Sequence, residues 1–205
     1  MRVFQKSLLA AALLAAPFLV QAESNFVTGN GALTANARLD FQITVPRVLY
    51  LRVGAGNAMA NNTTVNLIDF NVPAAQVGDG TPVAATAASG DLGNGTVTAR
   101  LIGNGGAITF SSTTTGALSN GAGDSISYAA IATSVASLTS STPLPHPALA
   151  DNATTTVNLT PTSGRVINRD AQWTYSYTNA AVVAPGTYGG VGTQHGRVTY
   201  TASMP

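Results

Sequence analysis

The sequence predicts an all-β protein, an antiparallel sandwich of about eight to nine strands. Three observations carry that prediction. From Val27 to Val45 the odd positions are apolar or small and the even ones, Ala32 excepted, are polar, the period-two signature of a strand with one buried face. Short runs rich in β-branched and aromatic residues then recur between Gly, Pro and Asn turn signals. The third is that no helix-length amphipathic stretch separates those runs, so βαβ units and a parallel sheet are not expected.

Taken in order, the chain opens on a leader. Arg2 and Lys6 precede the apolar run Ser7–Val20, and Val20-Gln21-Ala22 offers small residues at the positions a signal peptidase reads. A secretory signal peptide is expected over 1–22, with cleavage before Glu23 and delivery to the periplasm, the cell surface or the extracellular medium. No second apolar run of spanning length follows, so no membrane span is expected in the mature chain. From residue 23 onward there are seven arginines, no lysine and eight acids, a net charge of about −1. That leaves no basic patch for nucleic acid, which is excluded as an expected partner. The chain has no cysteine, so an oxidising compartment brings no disulfide and stability falls to core packing and sheet ladders.

The ribbon 27–45 has nineteen residues, which fully extended would reach about 60 Å, several times an ordinary strand. It either breaks at its glycines or reaches beyond its own domain. Residues 23–37 are therefore set apart as a first strand or an N-terminal extension, and 38–205 as the domain. Phe41, Ile43, Leu49, Leu51, Val97, Leu101, Trp173, Val198 and Tyr200 are expected in its core. Pro46, which cannot donate to a ladder, belongs at an edge or where the chain changes sheets. Strands are expected at 48–53 and 64–72, then a long loop to Gly95 with room for a short strand at 82–87. Runs 96–102 and 107–112 flank Gly103-Asn104-Gly105-Gly106, which reads as a hairpin turn because Asn-Gly accepts positive φ. Further strands follow at 126–131 and 154–159, separated by an extended connection through Pro143, Pro145 and Pro147. Trp173, Tyr175 and Tyr177 alternate with polar residues in a late strand, and 197–204 forms the last.

Little in the chain reads as chemistry. His146 lies between two prolines and His195 in a Gly-rich turn, neither with a spaced partner, so surface loop positions are expected and no zinc site. The acids are scattered singly, against a paired-carboxylate glycosidase. Asp79, Asp91 and Asp124 sit in Gly- and Asn-rich loops, where turn chemistry explains them better than calcium. The glycine-rich loops lack the lysine and helix of a phosphate cradle. No catalytic residue, cofactor or metal is expected. Trp173, Tyr175 and Tyr177 would offer sugars a platform if they faced solvent, and would be core if they faced inward.

The signal peptide, the ribbon with Gly29 and Gly31, and the ending Pro185-Gly186-Thr187-Tyr188 followed by Gly196-Arg197-Val198-Thr199-Tyr200 together resemble the secreted pilin-like surface subunits of bacteria. The resemblance is one of architecture and implies an immunoglobulin-like β-sandwich. It departs from the many members that carry a disulfide. It further implies a structural or adhesive surface protein, a pilus or filament subunit that self-assembles, or joins related subunits, by strand addition with help from a periplasmic chaperone. On that reading Val27, Gly29, Gly31, Leu33 and Ala35 form the donor face, Leu33 its anchor. The alternatives are that this segment is simply the domain's own first strand, and that the protein is a monomeric carbohydrate-binding sandwich.

Overall fold

Among the described residues strand formation begins at Leu49, after the alternating ribbon has ended. The computed structural model describes residues 23–161 and 164–205, and the leader expected over 1–22 lies outside them. Two units partition the chain, one ending at Val45 and the other running from Pro46 to Pro205.

In the first unit, residues 23–45 contain no strand, and every one of them is exposed. Leu39, Phe41, Ile43 and Val45 are 74%, 85%, 86% and 72% exposed, so the expectation that Phe41 and Ile43 are core residues is corrected. Residues 23–37, expected as a first strand or an N-terminal extension, carry no strand. Alternation makes a segment fit for a ladder, but the ladder needs a neighbour whose N–H and C=O groups stand opposite. The segment does bend back on itself. Arg38 donates from Nε and Nη2 to the Glu23 carboxylate at 2.7 and 3.0 Å, which lowers the Glu23 pKa and raises that of Arg38.

The second unit is nearly all β and antiparallel. Its strands are β1 (Leu49–Val53), β2 (Val83–Ala84), β3 (Thr96–Gly103), β4 (Ile108–Thr113), β5 (Leu118–Ser119), β6 (Ser125–Ile126), β7 (Ile131–Ala136), β8 (Thr154–Leu159), β9 (Ile167–Tyr177) and β10 (Thr199–Ser203). The eleven residues of β9 organise the larger sheet. One edge of β9 pairs with β3, Thr96 opposite Thr174 through Gly103 opposite Ile167, and then with β2. The other edge pairs with β7, and β1 lies outside β3. The second sheet has the order β10-β4-β8, and β5 with β6 forms a small separate ladder. Of the expected strand at 64–72 only the bridge Phe70–Ala85 forms. The short strand expected near 82–87 is β2.

The hairpin expected at 103–106 is a corner instead, since β3 and β4 belong to different sheets. Asn104 spends its amide elsewhere: Oδ1 accepts from the Val48 N–H at 2.7 Å and Nδ2 donates to the Pro46 carbonyl at 2.8 Å. A residue that ties down the start of β1 is not free to close a two-residue turn.

Inward side chains of both sheets meet in one core, Val97, Leu101, Ala171 and Trp173 from one and Ile108, Phe110 and Leu159 from the other. Trp173 is fully buried and stacks on Phe110 with ring centroids 6.0 Å apart. The Trp173 indole N–H donates to the Leu144 carbonyl at 2.9 Å, so the largest buried side chain leaves no polar group unpaired. Leu144 arrives from the Pro-rich connection. That segment is pinned by the Asp170 carboxylate, which accepts from the Ser140 N–H at 2.8 Å and from the Thr139 N–H at 2.9 Å. Burial pushes the Asp170 pKa up, but the bonds from Thr139 and Ser140 outweigh it and hold the group well below the ordinary carboxylate range. On the solvent face of the second sheet the rows are hydroxyls, as where Thr113 and Thr154 bond at 2.8 Å across β4 and β8. No helix among the described residues is long and apolar enough to cross a membrane.

Candidate functional site

β1 and β10 are the outer strands of their sheets, each hydrogen-bonded along one edge only. Near their junction they are held together. The Gly105 N–H donates to the Met204 sulfur at 3.1 Å, while Asn104 holds Val48 and Pro46 just ahead of β1. Away from that junction the two strands border an open groove of about 1010 Å³, lined by Leu51 and Val53 on one side and by Val198 and Tyr200 on the other. β1 and β10 thus meet at one end and part around the groove at the other.

Two irregular segments complete the walls. Residues 64–72 run past the groove with Val65 and Leu67 exposed, while Ile68 and Phe70 pack on the core. Asn66 Oδ1 accepts from the Ala55 N–H at 2.7 Å, and the Asp69 N–H donates to Ser89 Oγ at 2.9 Å, so the segment is anchored without a ladder. Residues 183–191 form the other wall, braced by the Tyr188 hydroxyl donating to the Ala184 carbonyl at 2.7 Å. Among the described residues lining the groove, only Asp69 and Arg197 are charged. Its walls suit an apolar occupant, and its two bordering strands offer unpaired backbone edges.

Tyr175 and Tyr200 line the groove, and His146 behind them completes a polar cluster. His146 Nε2 is 2.7 Å from the Tyr200 hydroxyl and 3.1 Å from that of Tyr175, and the two hydroxyls are 3.0 Å apart. β9 supplies Tyr175, β10 supplies Tyr200, and the Pro145-His146-Pro147 segment inserts the imidazole between them. Trp173 lies against the ring, centroids 4.7 Å apart. Burial lowers the His146 pKa to about 4 and raises that of Tyr175 to about 12. Desolvation likewise raises the Tyr200 pKa. At neutral pH the cluster is therefore uncharged, and its three groups satisfy one another. It ties the two sheets together at the groove.

His146 is thus not the surface loop residue expected, because the flanking prolines hold its segment extended across the core rather than out in solvent. His195 does lie in an exposed turn, with Nδ1 3.0 Å from Thr115 Oγ1. Asp79 Oδ1 accepts from the Thr81 N–H, Asp91 Oδ1 from the Thr98 N–H, and Asp124 Oδ2 from Asn120 Nδ2, at 2.7, 2.8 and 2.8 Å. Trp173, Tyr175 and Tyr177 are buried rather than set out on a solvent-facing strip, and Tyr175 and Tyr177 border the groove. Val27, Gly29, Gly31, Leu33 and Ala35 all lie in the exposed, unpaired segment.

The groove has no local sequence signal, since it arises where two edge strands from opposite ends of the chain diverge. The Tyr–His–Tyr cluster had a partial one. Tyr175 and Tyr200 both fall on the inward phase of their strands, and a histidine between two prolines in a charge-poor chain invited a partner. No known family, curated protein or solved structure matches this chain.

Proposed function

We propose that this chain is a secreted, non-catalytic structural or adhesive surface subunit, built on an incomplete immunoglobulin-like β-sandwich and assembled by β-strand addition. The groove of one copy takes the N-terminal segment of another. One observation supports this above the rest: a single chain carries both an apolar groove between two free strand edges and an exposed ribbon of alternating apolar residues. Strand addition needs those two parts, with backbone bonds supplying affinity and alternate side chains the register. The donor face extends from Val27, Gly29, Gly31, Leu33 and Ala35 to Leu39, Phe41, Ile43 and Val45, where the largest side chains stand.

Magnitudes set what docking of such a segment requires. Burying four large apolar side chains is worth about 6–12 kcal/mol. Ordering seven backbone residues costs about 7–14 kcal/mol. Burial alone roughly breaks even, so docking depends on the ladder bonds along both edges. A partner that offers only one edge does not hold the segment. A periplasmic chaperone fits the same scheme as a temporary occupant of the groove before assembly.

The test is assembly itself. The mature chain is expected to form oligomers or filaments with rising concentration, followed by ultracentrifugation and electron microscopy. A synthetic peptide of residues 27–45 is expected to raise the melting temperature of the full chain. The same peptide with Phe41→Asp and Ile43→Asp is expected not to, because a charge would enter an apolar groove. A chain that stays monomeric at every concentration and ignores the wild-type peptide sinks the proposal.

A further inference from the structure

We infer that Asn30-Gly31 is a site of spontaneous covalent modification, at which the asparagine converts to aspartate and isoaspartate. The chain holds four Asn-Gly pairs, at 30, 94, 104 and 120, and the reaction has one geometric requirement. The glycine nitrogen must reach the asparagine Cγ. A nitrogen–Cγ bond then forms as the glycine nitrogen gives up its proton, the Cγ–Nδ2 bond breaks, and the amide nitrogen takes up a proton and leaves as ammonia. Water opens the resulting succinimide at either carbonyl, giving aspartate or its backbone-lengthened isomer.

At three of the four pairs the attacking nitrogen is occupied. The Gly95 N–H donates to the Ser89 carbonyl at 2.9 Å, that of Gly105 to the Met204 sulfur at 3.1 Å, and that of Gly121 to Ser119 Oγ at 3.0 Å. Two of the target amides are held as well. Asn104 bonds Val48 and Pro46, and Asn120 accepts from the Ala122 and Asp124 N–H groups while donating to the Asp124 carboxylate. At the fourth pair nothing comparable exists. Among the described residues neither the Gly31 N–H nor the Asn30 side chain has a hydrogen-bond partner, both residues are exposed, and a Cβ built on Gly31 would meet no atom within 4 Å. Asn30-Gly31 can close the ring without first breaking a hydrogen bond or opening a packed turn. The others must first open a turn, and reaction then waits on that opening.

The consequence falls on the donor face, and this part rests on the strand-donor reading. Isoaspartate lengthens the backbone inside the ribbon, so Val27 and Gly29 lose phase with Leu33 through Val45. A segment specified by a period of two cannot keep one face inward across such an insertion. Chains that remain unassembled therefore lose the outer part of their donor with age, while the part beyond Gly31 keeps its register.

The mature full-length chain, held monomeric by dilution in mildly alkaline buffer, is sampled over time. Conversion at each pair is read by peptide mass spectrometry with isoaspartyl methyltransferase labelling, beside a denatured control. In the folded chain Asn30 is expected to convert at least roughly tenfold faster than Asn94, Asn104 or Asn120. In denaturant the four rates should converge. Gly31→Ala should slow Asn30 and leave the other three unchanged. Conversion of Asn30 no faster than the other three in the folded chain overturns the inference, as does an Asn30 that persists while the denatured chain reacts. The readout needs no assembly. Fast Asn30 conversion in a chain that never assembles, even fresh, supports this site and counts against the strand-donor reading alone.

Discussion

Residues 39–45 and the second half of β9 carry the same pattern and meet opposite fates. In β9, Trp173, Tyr175 and Tyr177 alternate with Thr174 and Ser176, and all three aromatics are buried. In the ribbon, Leu39, Phe41, Ile43 and Val45 alternate with Asp40, Gln42 and Thr44, and all four apolar residues stand in solvent. The difference is not one of propensity or hydrophobicity. β9 has neighbours on both edges, β3 and β2 along one and β7 along the other, while the ribbon has no strand partner. Alternation states which face a strand would bury. It does not state that a second strand exists within the same molecule.

The comparison breaks or sharpens under substitution. Trp173→Ala should lower the unfolding free energy of the monomer by about 3–5 kcal/mol, whereas Phe41→Ala should leave it within about 0.5 kcal/mol. Urea titration of both at a concentration where the chain is monomeric checks this. A large loss from Phe41→Ala would mean that the ribbon belongs to the monomer's core after all.

The next effect is one of pH and belongs to the body alone. His146 has its pKa lowered from 6.5 to about 4, so the folded state binds its proton less readily than the unfolded chain. Stability is complete above pH 6.5, declines as the pH falls toward 4, and loses about 3 kcal/mol at most. His146→Gln removes this part of the slope, and the difference between the two denaturation series across that window isolates it. Identical slopes would mean that the imidazole is not desolvated behind the groove.

Asn104→Ala releases the Val48 N–H from its side-chain partner and should cost about 1–3 kcal/mol. It should also loosen the junction where β1 and β10 meet, read as faster hydrogen exchange at Val48 and Gly105. Unchanged exchange there would make the corner a passive turn. Smallest of all is the ribbon's own ion pair. Glu23 and Arg38 are solvent-exposed, so screening and side-chain entropy offset their attraction. Arg38→Gln should leave the monomer's melting temperature unmoved at any ionic strength, and a salt-dependent drop would show that the bend contributes to stability.

Much of the body was legible because its signals are local. Thr154–Leu159 is the strand expected at those residues, β3, β4 and β10 fall within a residue or two of their expected limits, and the Trp173 strip is core. Where the reading failed, a distant partner had intervened or was missing. Gly103-Asn104-Gly105-Gly106 carries a hairpin signal, yet Asn104 is engaged by Val48 and Pro46, more than fifty positions earlier, and the chain turns a corner. Residues 64–72 carry strand-like residues, yet they form a single isolated bridge, at Phe70, and no strand.

By itself the sequence determined the all-β class, the antiparallel habit, most of the stretches that form strands and, in β9, the face that is buried. Those follow from side-chain alternation and turn chemistry, which act over a few residues. Leu49, expected in the core, is instead exposed, and 126–131 is broken by a short 3-10 turn. Only the tertiary structure decided which strand-competent segments found partners. It left β1 and β10 as edges that part around a groove, set His146 between Tyr175 and Tyr200, and gave Phe41 and Ile43 no shelter. Pairing joins residues far apart in the chain, and no periodicity in one segment records whether its complement lies in the same molecule.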